Sequence, residues 1–233
     1  YSHGVFSISL ILAQWRAIPP FELDAYLPVA LPYASPFVLT VPADSPWETL
    51  EDFIEAGQEQ RIRFGNSGTG TSVHIAAAAF ASQAGINAQY VPYEGDAGAV
   101  SALLRDEVDA VMVPMVSVTQ HIEAGELRPL AVSLAAGDEH HEGVATFREQ
   151  DIDFVLGDMG GGIYVPEGTP EAIVERLEEA YAATFAKPEV QEGLANLAIG
   201  VDFMGSQEFR ALIDEWNPIL EELISELGLH LQQ

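Results

Sequence analysis

Cysteine is absent from the 233 residues, and lysine occurs once, at Lys187. The first absence excludes disulfides and thiolate chemistry and leaves the compartment open. The second, with only 9 basic residues in all, removes the clustered cations that proteins use to neutralise nucleic-acid phosphates, so no nucleic-acid partner is expected. Long apolar runs are missing too. The best, Val5 to Ala13, is too short to cross a bilayer and is interrupted by serines. What is present instead is acid: 36 Asp and Glu residues give a net charge of -27 and are spread along the whole chain. This surface reads as a halophilic adaptation, in which salt screens self-repulsion, ahead of an acidic interface for a partner. A hydrophobic fraction of 48% with evenly spread Gly and Pro describes a folded globular protein with one core or two small lobes.

The two ends differ. The C-terminus closes on an amphipathic helix. The N-terminus opens at Tyr1-Ser2-His3-Gly4 without an initiator methionine or a signal peptide, and upstream sequence is expected to be missing.

Between them, short apolar runs alternate with helical patterns. Pro36 to Val41 is β-rich; Ser45-Pro-Trp-Glu reads as a helix start with Pro46 at the first position and Glu48 completing a capping box, and Gly57 as its stop. Strands are expected at Ile62 to Phe64, Ala88 to Pro92, Val108 to Pro114 and Pro129 to Ser133. Helices are expected from about Ile75 to Gly85, Ala97 to Arg105 and Val118 to Ala124. This alternation predicts an α/β fold with parallel strands. Leu134 to Thr146 reads as an exposed loop, and Phe154 to Val165 as a glycine-interrupted return. Thr169 is then the expected N-cap of a helix with Pro170 at its first position and a stripe of Ile173, Leu177, Ala180, Tyr181 and Thr184. Helices at Pro188 to Leu197 and Ser206 to Leu227 flank an extended Val201 to Met204.

The densest chemical signal runs from Arg63 to His74, Arg-Phe-Gly-Asn-Ser-Gly-Thr-Gly-Thr-Ser-Val-His. A strand enters a loop rich in glycine and hydroxyls, and a helix follows at once. The first amides of such a helix lack intrahelical partners and carry partial positive charge, which suits a carboxylate as readily as a phosphate. No lysine follows the glycines, so this is not a Walker loop. The G-x-x-G-x-G spacing also misses the dinucleotide fingerprint. Ser67 falls short of a nucleophile elbow, and a small α/β hydrolase or transferase using Ser67 or His74 is the alternative reading. A second strand-to-helix junction, Tyr93-Glu94-Gly95-Asp96, can face the same cleft. Asp109 has a structural role at a strand start, and His121 is a surface residue. Adjacent His140 and His141 beside Glu142 are poorly placed for one ion, and no metal site is expected. No acid–base or nucleophile–base pair emerges, so the chemistry reads as binding rather than turnover.

Several motifs together resemble one family. Phe64-Gly-Asn-Ser-Gly-Thr-Gly-Thr-Ser-Val-His is similar to its "ygspGvGsxxH" segment, and Ala84-Gly-Ile ahead of Val91-Pro-Tyr-Glu-Gly to "aGi…VPYkG". Val108-Asp109 with Ala124-Gly-Glu-Leu-Arg-Pro-Leu-Ala-Val resembles "qVD…sGklraLAv". Val165-Pro-Glu-Gly-Thr-Pro resembles "aPaGTP", and Asp24-Ala-Tyr-Leu-Pro-Val-Ala resembles "kDFtPVa". The family is the extracytoplasmic solute receptors of tripartite tricarboxylate transporters, the TctC or Bug proteins, and the resemblance is collinear from Asp24 to the C-terminus.

The resemblance implies an α/β, two-lobed, Venus-flytrap binding protein of the periplasmic type II class, with its first lobe incomplete here. Residues 1–36 are then a remnant of lobe 1, 37–160 form lobe 2, and 161–233 return to lobe 1. It implies a monomer, not an enzyme and without cofactor, that captures a small carboxylate and hands it to membrane permease subunits. By motif position Ser67, Gly68, Thr69, Gly70, Thr71 and His74 carry ligand binding, with Tyr93 and Gly95 beside them and Ser2 and His3 as remnants of the first lobe's site. Closure follows if the acid binds the closed state better. The family's first strand and its glycine loop have no counterpart here. Val113-Pro114 stands where many members carry Asp-Asn, and Glu94 where they carry lysine.

Overall fold

The structure, a computed structural model, describes residues 4–6, 23–33, 36–133, 143–154, 161–196, 199, 201 and 203–229. The chain divides into two compact units, Tyr1–Ser35 with Asp158–Gln233 (unit 1) and Pro36–Gly157 (unit 2).

Unit 2 is built on a five-stranded sheet with strand order β5-β4-β6-β3-β7. Its strands are β3 (Phe37–Pro42), β4 (Ile62–Asn66), β5 (Ala88–Pro92), β6 (Ala110–Pro114) and β7 (Leu127–Val132). Strand β4 runs parallel to both β5 and β6, whereas β3 runs antiparallel to both β6 and β7. The sheet is therefore mixed rather than parallel. An apolar run buried on both faces, as Phe37 to Val41 is, satisfies either direction equally, so hydrophobicity does not encode the sense of the strand.

Four helices connect these strands: α1 (Leu50–Glu59), α2 (Ser72–Ala84), α3 (Gly95–Leu103) and the short α4 (Thr119–Glu123). Helix α1 does not start at Ser45-Pro46. Its N-cap is Thr49, whose hydroxyl accepts from the Asp52 amide at 3.1 Å while the Asp52 carboxylate accepts from the Thr49 amide at 2.9 Å. Asp at the third helical position closes the box as well as Glu does, and that reciprocity outweighs a proline start. Gly57 does not end the helix either. It lies within it, where a Cβ would come within 2.8 Å of Ile86 Cγ2, so the glycine serves close packing. Helix α2 begins at Ser72, three residues before the expected Ile75, and stops as expected at Gly85, which takes the left-handed conformation at φ 68°. Val73 to Ala81 are all buried, which explains why this helix is alanine-rich: it is enclosed on every side.

An aromatic cluster fills the space beside the sheet. Phe53 of α1 meets Trp47 edge-on at 5.2 Å and Phe64 at 5.9 Å, and stacks on Phe80 at 6.5 Å. Phe80 continues to Phe147 and Phe154. Those two belong to the segment after the expected loop at Leu134 to Thr146. Of that loop, 134–142 lie outside the described residues, while Thr146 is fully buried and bridges Val132, contrary to the exposed reading.

Unit 1 holds the antiparallel sheet β1-β8-β2-β9, from β1 (Gly4–Phe6), β2 (Tyr26–Leu31), β8 (Gly162–Pro166) and β9 (Met204–Gly205). Helices α5 (Glu171–Phe185), α6 (Pro188–Ala195) and α7 (Ser206–Glu226) complete it. The N-cap of α5 is Pro170. Thr169 instead donates its hydroxyl to the Pro166 carbonyl at 2.7 Å, because it is needed to close the turn after β8. Alternation along β8 divides the packing. Ile163 and Val165 join Val29 under Val174, Leu177 and Tyr181 of α5, while Tyr164 packs on Phe209 of α7 at 5.2 Å. Phe209, Ile213, Trp216, Leu220 and Leu223 give α7 a buried stripe at helical spacing.

Opposite these stripes the helices carry acid: Glu175 and Glu179 on α5, and Asp214, Glu215, Glu221, Glu222 and Glu226 on α7 are all exposed. None of the described helices is long and apolar enough to cross a membrane.

Two outcomes follow from this packing. Phe53→Ala removes the hub of the aromatic cluster and should cost about 3–5 kcal/mol in equilibrium denaturation, within the range for a large buried ring. The unfolding temperature of the unaltered protein should rise between about 0.1 M and 1 M NaCl, over which the Debye length shrinks from roughly 10 to 3 Å.

Candidate functional site

The order β5-β4-β6 brings the carboxyl ends of three parallel strands to one edge of the unit 2 sheet. The strand-to-helix junctions that leave β4 and β5 there carry eight of the residues the sequence singled out.

Strand β4 is fixed at its opposite end by a fork. Arg63 Nε and Nη2 donate to the two carboxylate oxygens of Asp109 at 3.0 and 2.6 Å, and Nη1 donates to the Glu107 carbonyl at 2.8 Å. The Arg63 amide also donates to Asp109, at 2.7 Å, and the Asp109 amide to the Arg63 carbonyl at 2.8 Å. Asp109 thus has the structural place its sequence position suggested. Further along, Gly65 is packed closely against its neighbours. A Cβ there would stand 3.1 Å from Val108 Cγ2 and 3.3 Å from Val111 Cγ1.

The turn from β4 into α2 is organised by three side chains. Asn66 is buried, and its Oδ1 accepts from the Gly68 amide at 3.0 Å, an Asx turn that starts the reversal. Thr71 is the N-cap of α2: its hydroxyl accepts from the His74 amide at 3.3 Å and donates to the Gly68 carbonyl at 2.8 Å. His74 is buried, and its Nδ1 accepts from the Gly70 amide at 2.9 Å. The path requires glycine at two points, Gly68 at φ 131° and Gly70 at φ 74°. Ser67 donates to the Thr71 hydroxyl at a long 3.4 Å. Its partner is therefore not His74, and the pair does not form the nucleophile–base arrangement that the hydrolase alternative needs.

This leaves the amides of Thr69, Ser72 and Val73 without an acceptor among the described residues. They lie at the positive end of a helix 13 residues long, beside the hydroxyls of Ser67, Thr69 and Ser72. The second loop is tied to the first, since the Tyr93 amide donates to the Asn66 carbonyl at 2.8 Å. The Tyr93 hydroxyl points away along the edge to Glu107 at 3.4 Å. Burial, and then the Glu107 charge, hold its pKa above the ordinary value. Gly95 follows at φ 71°, exposed, at the start of α3.

The structure therefore gathers Ser67, Gly68, Thr69, Gly70, Thr71, His74, Tyr93 and Gly95 at one sheet edge. Ser2 and His3, like His140, His141 and Glu142, lie outside the described residues. Sequence reasoning missed two participants. Asn66 was legible in principle, because Asn-Ser-Gly after a strand signals an Asx turn. Tyr90, whose ring meets His74 at 4.7 Å and whose hydroxyl is pushed up to about 12 by burial, carried no local signal.

The chain is similar to known proteins in both sequence and fold. The family model described as the tripartite tricarboxylate transporter family receptor, TctC, matches residues 14–229. A UPF0065 protein from the tcbD-tcbE intergenic region of Pseudomonas sp. (strain P51) is 31% identical over 216 residues, covering 87% of this chain and 63% of that protein. The chain thus spans less than two thirds of that relative's length. The crystal structure of a TctC solute-binding protein from Polaromonas, without ligand, superposes with a TM-score of 0.89 at 28% identity, covering 97% of this chain and 78% of that one. R. palustris Rpa4515, determined with adipate, shares the fold with a TM-score of 0.78 at 20% identity, covering 96% of this chain and 77% of that one. The α/β fold is that of the periplasmic binding proteins, and the relatives are solute-binding proteins rather than enzymes.

Because the Thr71 hydroxyl both caps α2 and closes the loop, Thr71→Val should cost about 0.5–2 kcal/mol in chemical denaturation. Thr71→Ser, which keeps the oxygen, should stay close to the original stability.

Proposed function

The chain belongs to the tripartite tricarboxylate transporter receptor family, and on that premise we propose that it is an extracytoplasmic receptor for a small carboxylate, a di- or tricarboxylate or a related organic acid. It delivers the acid to the membrane permease subunits of a secondary transporter.

The observation that carries this reading is the set of open donors at the start of α2. Three amides without an acceptor among the described residues, the hydroxyls of Thr69 and Ser72, and the helix dipole all favour an anion. No Lys or Arg lies between Ser67 and His74, so the loop is made of neutral donors. That favours a flat, hydrogen-bonding carboxylate over a doubly charged phosphate, which proteins commonly meet with cationic side chains. Thr69, Ser72 and Val73 supply the donors at the start of α2, Ser67, Gly68 and Thr71 shape the loop that presents them, and Tyr93 and Gly95 supply the neighbouring wall. The adipate held by the R. palustris relative is a dicarboxylate, consistent with this class of ligand.

The test is calorimetry and thermal unfolding against malate, adipate, citrate, glutamate and benzoate in molar salt. At least one acid should bind saturably, and at 100 times its Kd should stabilise the protein by about 2.7 kcal/mol. If every acid in the panel leaves the unfolding temperature unmoved, the receptor assignment is wrong.

A further inference from the structure

Resting on the receptor reading above, we propose that His74 is a positioning residue, which sets the β4–α2 loop from inside through Gly70 and does not itself touch the acid. Three observations carry it. The imidazole is buried, only 6% exposed, and lies against Tyr90 at 4.7 Å. Its Nδ1 takes the amide of Gly70, itself buried, at 2.9 Å. Gly70 stands at φ 74°, a conformation in which its amide direction is set by a glycine-only backbone. Between that fixed amide and the Asx turn at Asn66 sits Thr69, the exposed residue of the loop, whose amide is one of the open donors.

The chemistry explains why histidine stands here. At the third position of α2 the side chain leans back toward the helix start, where it meets the loop that precedes it. An acceptor is needed there, because a buried amide left without one costs free energy. An imidazole accepting at Nδ1 carries its proton at Nε2, so it is neutral and in a single tautomer. Without that acceptor, the Gly70 peptide must turn to find another partner, and the Thr69 peptide turns with it. The donor set for the acid is then lost although no ligand-contacting side chain has changed.

The experiment compares wild type with His74→Asn and His74→Leu, using malate, adipate and citrate as probes. Asn places an amide oxygen close to where Nδ1 sits; Leu fills the space without an acceptor. The expected result is binding within about threefold of wild type for His74→Asn and a loss of about tenfold or more for His74→Leu. In wild type, ¹⁵N spectra should show Nδ1 as the unprotonated acceptor nitrogen, with its resonance unchanged when the acid saturates the protein. Should His74→Leu not fold, the Asn variant and the wild-type spectra still decide. Failure of the Asn rescue, together with ring resonances that move on adding acid, would make His74 a ligand contact and overturn the proposal. Unchanged binding by His74→Leu would overturn it as well. Failure of the receptor reading looks different: no probe binds wild type, while the ring nitrogen signature persists.

Discussion

The register of one strand governs what unit 2 can present. Strand β4 sits between β5 and β6, and the Arg63–Asp109 fork pins its first residues to the entry of β6. The pair is partly exposed, so its Coulomb energy is modest; its value lies in two-point geometry and in the backbone bonds that Asp109 exchanges with Arg63. A slip of one residue would send Phe64 out of the aromatic cluster and bring Gly65 out from between Val108 and Val111. It would also shift Asn66, from which the loop's turn and the tie to Tyr93 both start.

On the receptor reading proposed above, the loop would meet its acid within a protein that carries a net charge of -27. A general positive field to draw an acid in is absent, and the long-range potential opposes its approach unless salt screens it. Amides and hydroxyls act only at hydrogen-bonding distance and lose little to added salt, whereas a Lys or Arg pair would be screened along with the surface. Neutral donors therefore fit an acidic surface, because salt that screens the surface leaves them largely unaffected.

Much of this was legible in the sequence, for reasons that differ by element. Helix α2 was readable as a helix after a hydroxyl-rich loop and at its Gly85 exit, and its alanine run reports enclosure, although its start came at Ser72 rather than Ile75. The strands were readable as strands, but β3 was not readable as the one that runs against its neighbours. Direction belongs to the topology and leaves no mark in an apolar run. Caps slipped where two local candidates competed. Thr49 with Asp52 prevailed over Ser45 with Glu48, and Thr169 was drawn away from its helix to close a turn. Gly57 looked like a stop because its real constraint, Ile86, lies across a loop. At the site, the loop's composition exposed the hydroxyls and glycines. The burial of His74 against Tyr90 came from strand pairing, which spacing along the chain does not report.

Unit 1 takes its sheet from segments on either side of unit 2, pairing Tyr26 with Pro166 and Leu31 with Met204. Unit 2 is continuous between these segments. During synthesis, therefore, every strand of unit 2 is available while β2 still lacks both of its partners. Strand β2 must wait, unpaired, until the whole of unit 2 has been made and β8 follows it. Non-local pairings of this kind are slow to form and prone to aggregate while open. Assembly is then ordered by chain topology: the strands of unit 2 are complete before β2 can meet β8 and β9.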